Sequence, residues 1–286
     1  MFGKRSDGRQ VHEVEPFQRI IPYIMRTRTD SMNMFEESIP CAGMDGYVSE
    51  RRAKGDQITY LHVVVAALVR LVALRPQLNR FVVRGRIYTR PKIWVSFVVH
   101  QSLRTDDAGT TIKLCFEGTE SILEISERIN AAILKETAQK TESNSTDKLA
   151  GLIMSIPGPL IRFVVNTLIF MDRHNILPKA VIEASPFHTS LFVTNLRSLG
   201  INHIFHHVYE FGTTGVFVCM GKPVPNFLTG EYNKKIMPLG IVMDERICTG
   251  HEYALFWQTL RRYLKHPELT ENGAEERAEM PEAVEA

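Results

Sequence analysis

Four cysteines and ten histidines are the side chains here best suited to nucleophilic, acid–base or metal chemistry. Cys41, Cys115, Cys219 and Cys248 show no CxxC spacing or pairing. Neither a zinc site nor a disulfide framework is expected, and a reducing, cytoplasmic setting is the simpler reading. Cys248 reads as a small buried residue, because a nucleophilic thiol needs an activating base beside it and none is identifiable. No Gly-rich phosphate loop, HExxH helix, EF-hand or GxSxG elbow occurs, which weakens nucleotide, zinc-protease and serine-hydrolase readings. Between Gln57 and Thr105 lie eight Arg or Lys, from Arg70 to Arg104, and no Asp or Glu. Such a stretch could meet phosphates. A helix edge and a hairpin with basic polar positions account for it as well, and no nucleic-acid motif accompanies it, so nucleic acid is not an expected partner.

The elements that must position these residues belong to an ordinary globular chain: 286 residues, 44% hydrophobic, 23% charged, net charge +2. At this size roughly 75% of the unfolded surface is buried, so no disulfide or metal staple is needed. The residues from Glu268 to Ala286 carry seven acids and one base. They predict a solvated acidic tail over 270–286. Charged residues open the chain with no apolar stretch behind them, and Gly151–Met171 is broken by Pro157, Pro159 and Arg162. Neither a secretory signal nor a membrane span is expected.

Thr59–Leu74 is apolar on nearly every side, as in a helix packed within an α/β layer, and Pro76 stops it. Phe81–Val83 and Ile87–Thr89 flank Arg84-Gly85-Arg86 and predict a β-hairpin. Ile93–Val99 is apolar on both faces and reads as a central strand. Thr110–Phe116 reads as a strand, Thr119–Lys135 as a helix and Pro159–Arg173 as an amphipathic helix. Strands are expected at Thr189–Asn195, His203–Tyr209, Val216–Gly221 and Lys235–Met243, and a last helix at Glu252–Lys265. The alternation is not strictly βαβ. It predicts an α/β, two-layer α+β arrangement with a mixed sheet and helices packed on one face.

The segment Val242-Met243-Asp244-Glu245-Arg246-Ile247-Cys248-Thr249-Gly250, an amphipathic helix and Leu264-Lys265-His266-Pro267-Glu268-Leu269 follow in order. They resemble the Asp-His-Arg-Val-x-Asp-Gly signature, helix and ending of the dihydrolipoyl acyltransferase catalytic domain, which shares its fold with chloramphenicol acetyltransferase. Arg19–Met25, Ile58–His62 with Arg75–Asn79, and Thr194–Gly200 with Gly215–Lys222 resemble three other segments of that family. The resemblance covers most of 17–269 and is weakest over Ser102–Ser185. It implies an N-terminal extension over 1–16, an acyltransferase-like domain over 17–269 and a chloramphenicol acetyltransferase-like fold.

What the resemblance implies about chemistry is a CoA-dependent acyltransferase with a divergent site, moving an acyl group from acyl-CoA to a small acceptor. In the family a histidine of the HxxxDG motif deprotonates the acceptor, a Ser or Thr hydroxyl steadies the oxyanion, and an Asp holds the loop. Carried over by position, the histidine falls on Glu245, the aspartate on Thr249, the glycine on Gly250 and the hydroxyl on Thr194. Alternative bases beside the motif strands are His188, His206, His207 and His251. A thiol passing its proton to imidazole faces a pKa mismatch of about 2, or about 2.7 kcal/mol. An ordinary carboxylate faces about 4.2, or about 5.7 kcal/mol, unless burial raises it. The family further implies a homotrimer with sites between subunits, and docking to a 2-oxoacid dehydrogenase assembly. The few residues before Phe17 leave no room for a lipoyl domain, so no covalently bound lipoyl group is expected. Loss of the motif's His and Asp motivates the alternative, a non-catalytic scaffold or regulatory relative. No metal is expected.

Overall fold

In the computed structural model, which describes residues 5–99, 110–138, 151–152, 154–226 and 230–272, the chain builds two sheets. The small one joins β1 (Arg9–Gln10), β4 (Arg86–Thr89) and β3 (Arg80–Val83), in the order β1-β4-β3. Arg84 and Gly85 link β3 to β4 at φ 49° and 74°. Positive φ at both central residues matches the right-handed twist of the flanking strands, as a two-residue hairpin turn requires. A Cβ on Gly85 would lie 2.6 Å from the Tyr23 ring, so the glycine also lets helix α1 (Pro16–Ile24) sit against the turn.

The large sheet uses β2 (Met32–Pro40), β5 (Ile93–Val99), β6 (Thr110–Phe116), β7 (Leu191–Asn195), β8 (Val216–Met220), β9 (Val224–Asn226) and β10 (Glu231–Asp244). Its order is β2-β10-β8-β7-β5-β6, with β9 pairing the start of β10. β5, β7 and β8 run parallel and every other pairing is antiparallel. The sheet is mixed, as expected, and β5 lies inside it between β6 and β7.

Period-two alternation sorts the strand side chains into two faces. Val95, Phe97, Leu191, Val193, Val218, Leu239 and Ile241 join the main core with helices α2 (Ala42–Ala53), α3 (Tyr60–Leu74), α4 (Ile122–Ala138) and α7 (Gly250–Lys265). Phe192, Phe217 and Val242 form a smaller cluster on the opposite face with Met32 and Val208. α3 is buried nearly all round. Thr59 caps it: the Thr59 N–H donates to His62 Nδ1 at 2.9 Å, and burial pulls the imidazole down to about 4, keeping it neutral as an acceptor. Helices α5 (Gly158–Arg173) and α6 (Lys179–Ala184) lead into β7.

Several expectations shift. His203–Tyr209 forms no strand. It crosses the outer face of the sheet, where a Cβ on Gly221 or Gly240 would meet His203 or Ile204 within 2.6 Å. Its apolar and aromatic residues therefore reflect packing on a sheet, not membership of one. The helix expected over Thr119–Lys135 runs from Ile122 to Ala138. The basic stretch does not form one surface: Arg70 and Arg90 are buried, while Arg84, Arg86 and Lys92 are exposed, and Arg104 lies outside the described residues. Ahead of Phe17, Arg5 pairs with Asp7 at 2.7 Å and Asp172 at 2.8 Å. The tail beyond Asn272 lies outside the described residues. No helix among the described residues is long and apolar enough to cross a membrane, and no group of His, Cys, Asp and Glu among them could hold a metal ion.

Candidate active site

Two places on the large sheet carry the residues singled out by sequence. The first is the corner where β10 turns into α7. Asp244 ends β10 fully buried. Its carboxylate accepts hydrogen bonds from Ser31 Oγ at 3.0 Å, Arg246 Nε at 2.8 Å and Arg246 Nη2 at 2.7 Å. Arg28 Nη1 lies 3.7 Å away. Burial alone would raise the Asp244 carboxyl, but the hydrogen bonds and charge of Arg246, then the charge of Arg28, hold it below the usual carboxylate range. Tyr253 Oη donates to the Asp244 carbonyl at 2.6 Å and ties the corner to α7.

On this base sits Glu245. Its N–H donates to the Ser31 carbonyl at 2.8 Å, its side chain is half-buried, and no described residue hydrogen-bonds its carboxylate. The backbone is thus fixed while no hydrogen bond from a described residue holds the carboxylate. Cys248 is buried, and burial pushes its thiol well above the ordinary range, so it is no nucleophile. Thr249 is the N-cap of α7: its Oγ1 accepts from the Glu252 N–H at 3.3 Å, while its own N–H donates to Glu252 Oε2 at 2.7 Å. This capping box satisfies N–H groups that the first helical turn leaves open. Gly250 has open space where a Cβ would stand. His251 is exposed on the first turn.

The second place is the outer face near the end of β7. Thr194 Oγ1 is buried without a hydrogen-bond partner among the described residues, and so is His206 Nε2. Cys219, beside Thr194 in register, takes the Ile204 N–H on its Sγ at 3.4 Å. The His206 ring stands 6.1 Å from Phe217, and burial lowers its pKa, with His207 adding to the effect. Buried polar atoms are seldom left unpaired, so two on one sheet face mark a spot for water or a ligand. His207 is exposed.

His188 belongs to neither place. It is buried, with Nδ1 2.8 Å from Ser185 Oγ and Nε2 3.4 Å from Asp172 Oδ1. These are the residue types of a hydrolase triad, but Ser185 is 2% exposed and no substrate can reach it. Burial lowers the imidazole's pKa against the pull of Asp172. The network ties α5 to the strand start.

No family model matches the chain, and no curated protein matches it in sequence. Solved structures do. A probable dihydrolipoamide acetyltransferase from Listeria monocytogenes superposes with a TM-score of 0.53 at 14% identity, over 96% of this chain and 98% of that one. The truncated catalytic core of the 2-oxoacid dehydrogenase multienzyme complex from Thermoplasma acidophilum gives 0.53 at 15%, over 91% and 99%. A chloramphenicol acetyltransferase gives 0.55 at 9%, over 90% and 99%. The chain has the chloramphenicol acetyltransferase-like fold.

Within this fold, Thr194 and Glu245 are far apart. Leu191 stands level with Val216, and Val216 with Met243, so Glu245 is level with the residue two before Leu191. Thr194 is then five residue rises away, about 17 Å along the strands. One copy does not bring them together.

Sequence reasoning quoted Asp244 and Arg246 with the motif but missed Arg28 and Ser31, which complete the base under Glu245. Only the pairing of β2 with β10, Met32 opposite Asp244, brings them there. Thr249→Ala should lose about 1 kcal/mol of unfolding free energy in a urea titration, the usual worth of a cap. Thr249→Asp, another good cap, should stay within about 0.5 kcal/mol of the parent. Equal stability of the alanine variant would show that the capping box contributes nothing.

Proposed function

We propose that this protein is a CoA-dependent acyltransferase that moves an acyl group from acyl-CoA to the thiol or hydroxyl of a small acceptor, working as a homotrimer with each site built from two copies. The observation that carries this is Thr194 Oγ1, a hydroxyl buried on the outer sheet face with no partner among the described residues. In an acyltransferase fold such a hydroxyl is placed to donate to an oxyanion. The distance between Thr194 and Glu245 supports an intersubunit site, since only a second copy can bring one to the other. Exposed apolar side chains on α1 (Phe17, Ile20, Tyr23, Ile24) offer surface for such association.

In this reading Glu245 removes the acceptor proton as the acceptor's sulfur or oxygen attacks the thioester carbonyl. Thr194 of the neighbouring copy donates to the tetrahedral oxyanion. Collapse breaks the carbon–sulfur bond, and the departing CoA thiolate regains the proton from Glu245. His206, on the Thr194 face, is the alternative base.

The test is transfer from acetyl-CoA to an acceptor panel including dihydrolipoamide, followed by chromatography of the acylated product, with CoA binding measured by calorimetry. Turnover, and a sedimentation mass three times that of the chain, are expected. Neither CoA binding nor product with any acceptor would overturn the reading in favour of a non-catalytic scaffold, which the absence of the family's histidine at Glu245 also accommodates. Thr194→Val, which keeps the shape but loses the donor, should lower kcat about 10²- to 10³-fold with little change in KM. A KM effect alone would remove Thr194 from the chemistry.

A further inference from the structure

A cleft of about 570 Å³ opens between the end of α1, the β3–β4 turn, the last turns of α5 and the corner after β10. That volume lies in the range of small-molecule sites. Five arginines line it: Arg26, Arg28, Arg84, Arg173 and Arg246. Two acids share the lining, Glu210 and Asp172, and both already accept hydrogen bonds. Glu210 Oε1 accepts the N–H groups of Arg28 at 2.9 Å and Thr29 at 3.1 Å. Asp172 Oδ1 accepts from Arg5 at 2.8 Å.

Arg28 decides what the cleft is for. Its side chain is 6% exposed, and Nη2 donates to the Thr214 carbonyl. Nε and Nη1 are both buried and make no hydrogen bond among the described residues, Asp244 being too far at 3.7 Å to take one. Burial, then the charge of Arg246, lowers its pKa against the pull of Asp244, Glu210 and Asp172. At the rim, Arg26, Arg84 and Arg173 are exposed, and no described carboxylate pairs with them. Arg84 is held there by the left-handed turn. A guanidinium fork matches phosphate oxygens, and with Asp244 already occupying the Arg246 fork, Arg28 and the three rim arginines still exceed what one carboxylate ligand would require.

We propose that this cleft binds a phosphate-bearing small molecule, with Arg28 holding the anion inside and Arg26, Arg84 and Arg173 meeting it at the rim. The inference rests on the cleft alone and stands whether or not the chain transfers acyl groups. The phosphate belongs either to the nucleotide end of an acyl-CoA or to a separate phosphorylated compound.

Calorimetric titration of the full chain at low ionic strength with adenosine 3′,5′-bisphosphate and with pyrophosphate tests both sources. Saturable binding of at least one probe is expected. In the double variant Arg84→Ser/Arg173→Ser it should weaken about tenfold or more, and in Lys54→Ser, an exposed lysine outside the cleft, it should not change. Arg28→Gln should weaken it further, and the rim variant keeps the test open if that substitution prevents folding. Tighter binding of the bisphosphate assigns the phosphate to the acyl donor, and binding of pyrophosphate at least as tight assigns it to a separate compound. No saturable binding of either probe, or equal weakening by Lys54→Ser, would overturn the proposal.

Discussion

Asp244→Asn should destabilise the protein by about 3 to 5 kcal/mol, the cost of breaking a buried ion pair from one side. Asparagine keeps the shape but offers one acceptor oxygen and no charge. Arg246, which donates two side-chain hydrogen bonds to the carboxylate, and Arg28 beside it would remain buried without compensation. In a thermal melt this corresponds to a fall of about 6 to 20 °C. A loss below about 1 kcal/mol would show that the arginines find other partners and that the corner does not depend on Asp244. The folded state holds the Asp244 carboxyl below its ordinary value, so its contribution is complete above about pH 4 and lost as the pH falls through the lower folded value. Asp172 acts in the same direction. Against the opposing effect of burial, His188 and Arg5 draw it down to about 2, so acid should unfold the parent between about pH 4 and pH 2. Asp244→Asn should lose stability at neutral pH and show a shallower acid limb over the same window.

Much of the fold is legible because it is periodic. α3 is apolar all round and ends at Pro76, and the hairpin is marked by residues that need positive φ. β2 and α2 escape notice for the same reason in reverse. Met32–Pro40 keeps no clean alternation, having one face on helices and the other partly open, and Ala42–Ala53 carries two glycines. Residues 203–209 mislead because a segment lying on a sheet can carry the apolar and aromatic residues that a strand carries, here with Ile204 and Phe205 exposed and Val208 buried. At the site, Thr194, Glu245 and Thr249 stand out only through likeness to a motif, and nothing in their own spacing marks them. Ser31 and Asp244, 213 residues apart, meet only after β2 pairs with β10. No local pattern could have announced that Glu245 rests on a buried carboxylate held by two arginines.

Glu245→Ala should lower the rate of acyl transfer about 10²- to 10⁴-fold, the contribution of a positioned general base. Stability should change little, because the Glu245 carboxylate has no hydrogen-bond partner among the described residues and only its backbone N–H holds the corner. That separation distinguishes the variant from Asp244→Asn, which should lose both together. Glu245→His is the more discriminating change. Imidazole is a better match to a thiol than an ordinary carboxylate by about 3 kcal/mol. With about half of that expressed in the transition state, transfer to a thiol acceptor should rise roughly tenfold above the parent. Adding Thr249→Asp would test whether the loop needs the family's charge, and since Thr249 already caps α7, no further gain is expected. If Glu245→Ala transfers as fast as the parent while His206→Ala does not, the base is the imidazole on the outer face. Its proton acceptor, buried without a partner, would then share one surface with Thr194, and acyl transfer would need only one copy of the chain.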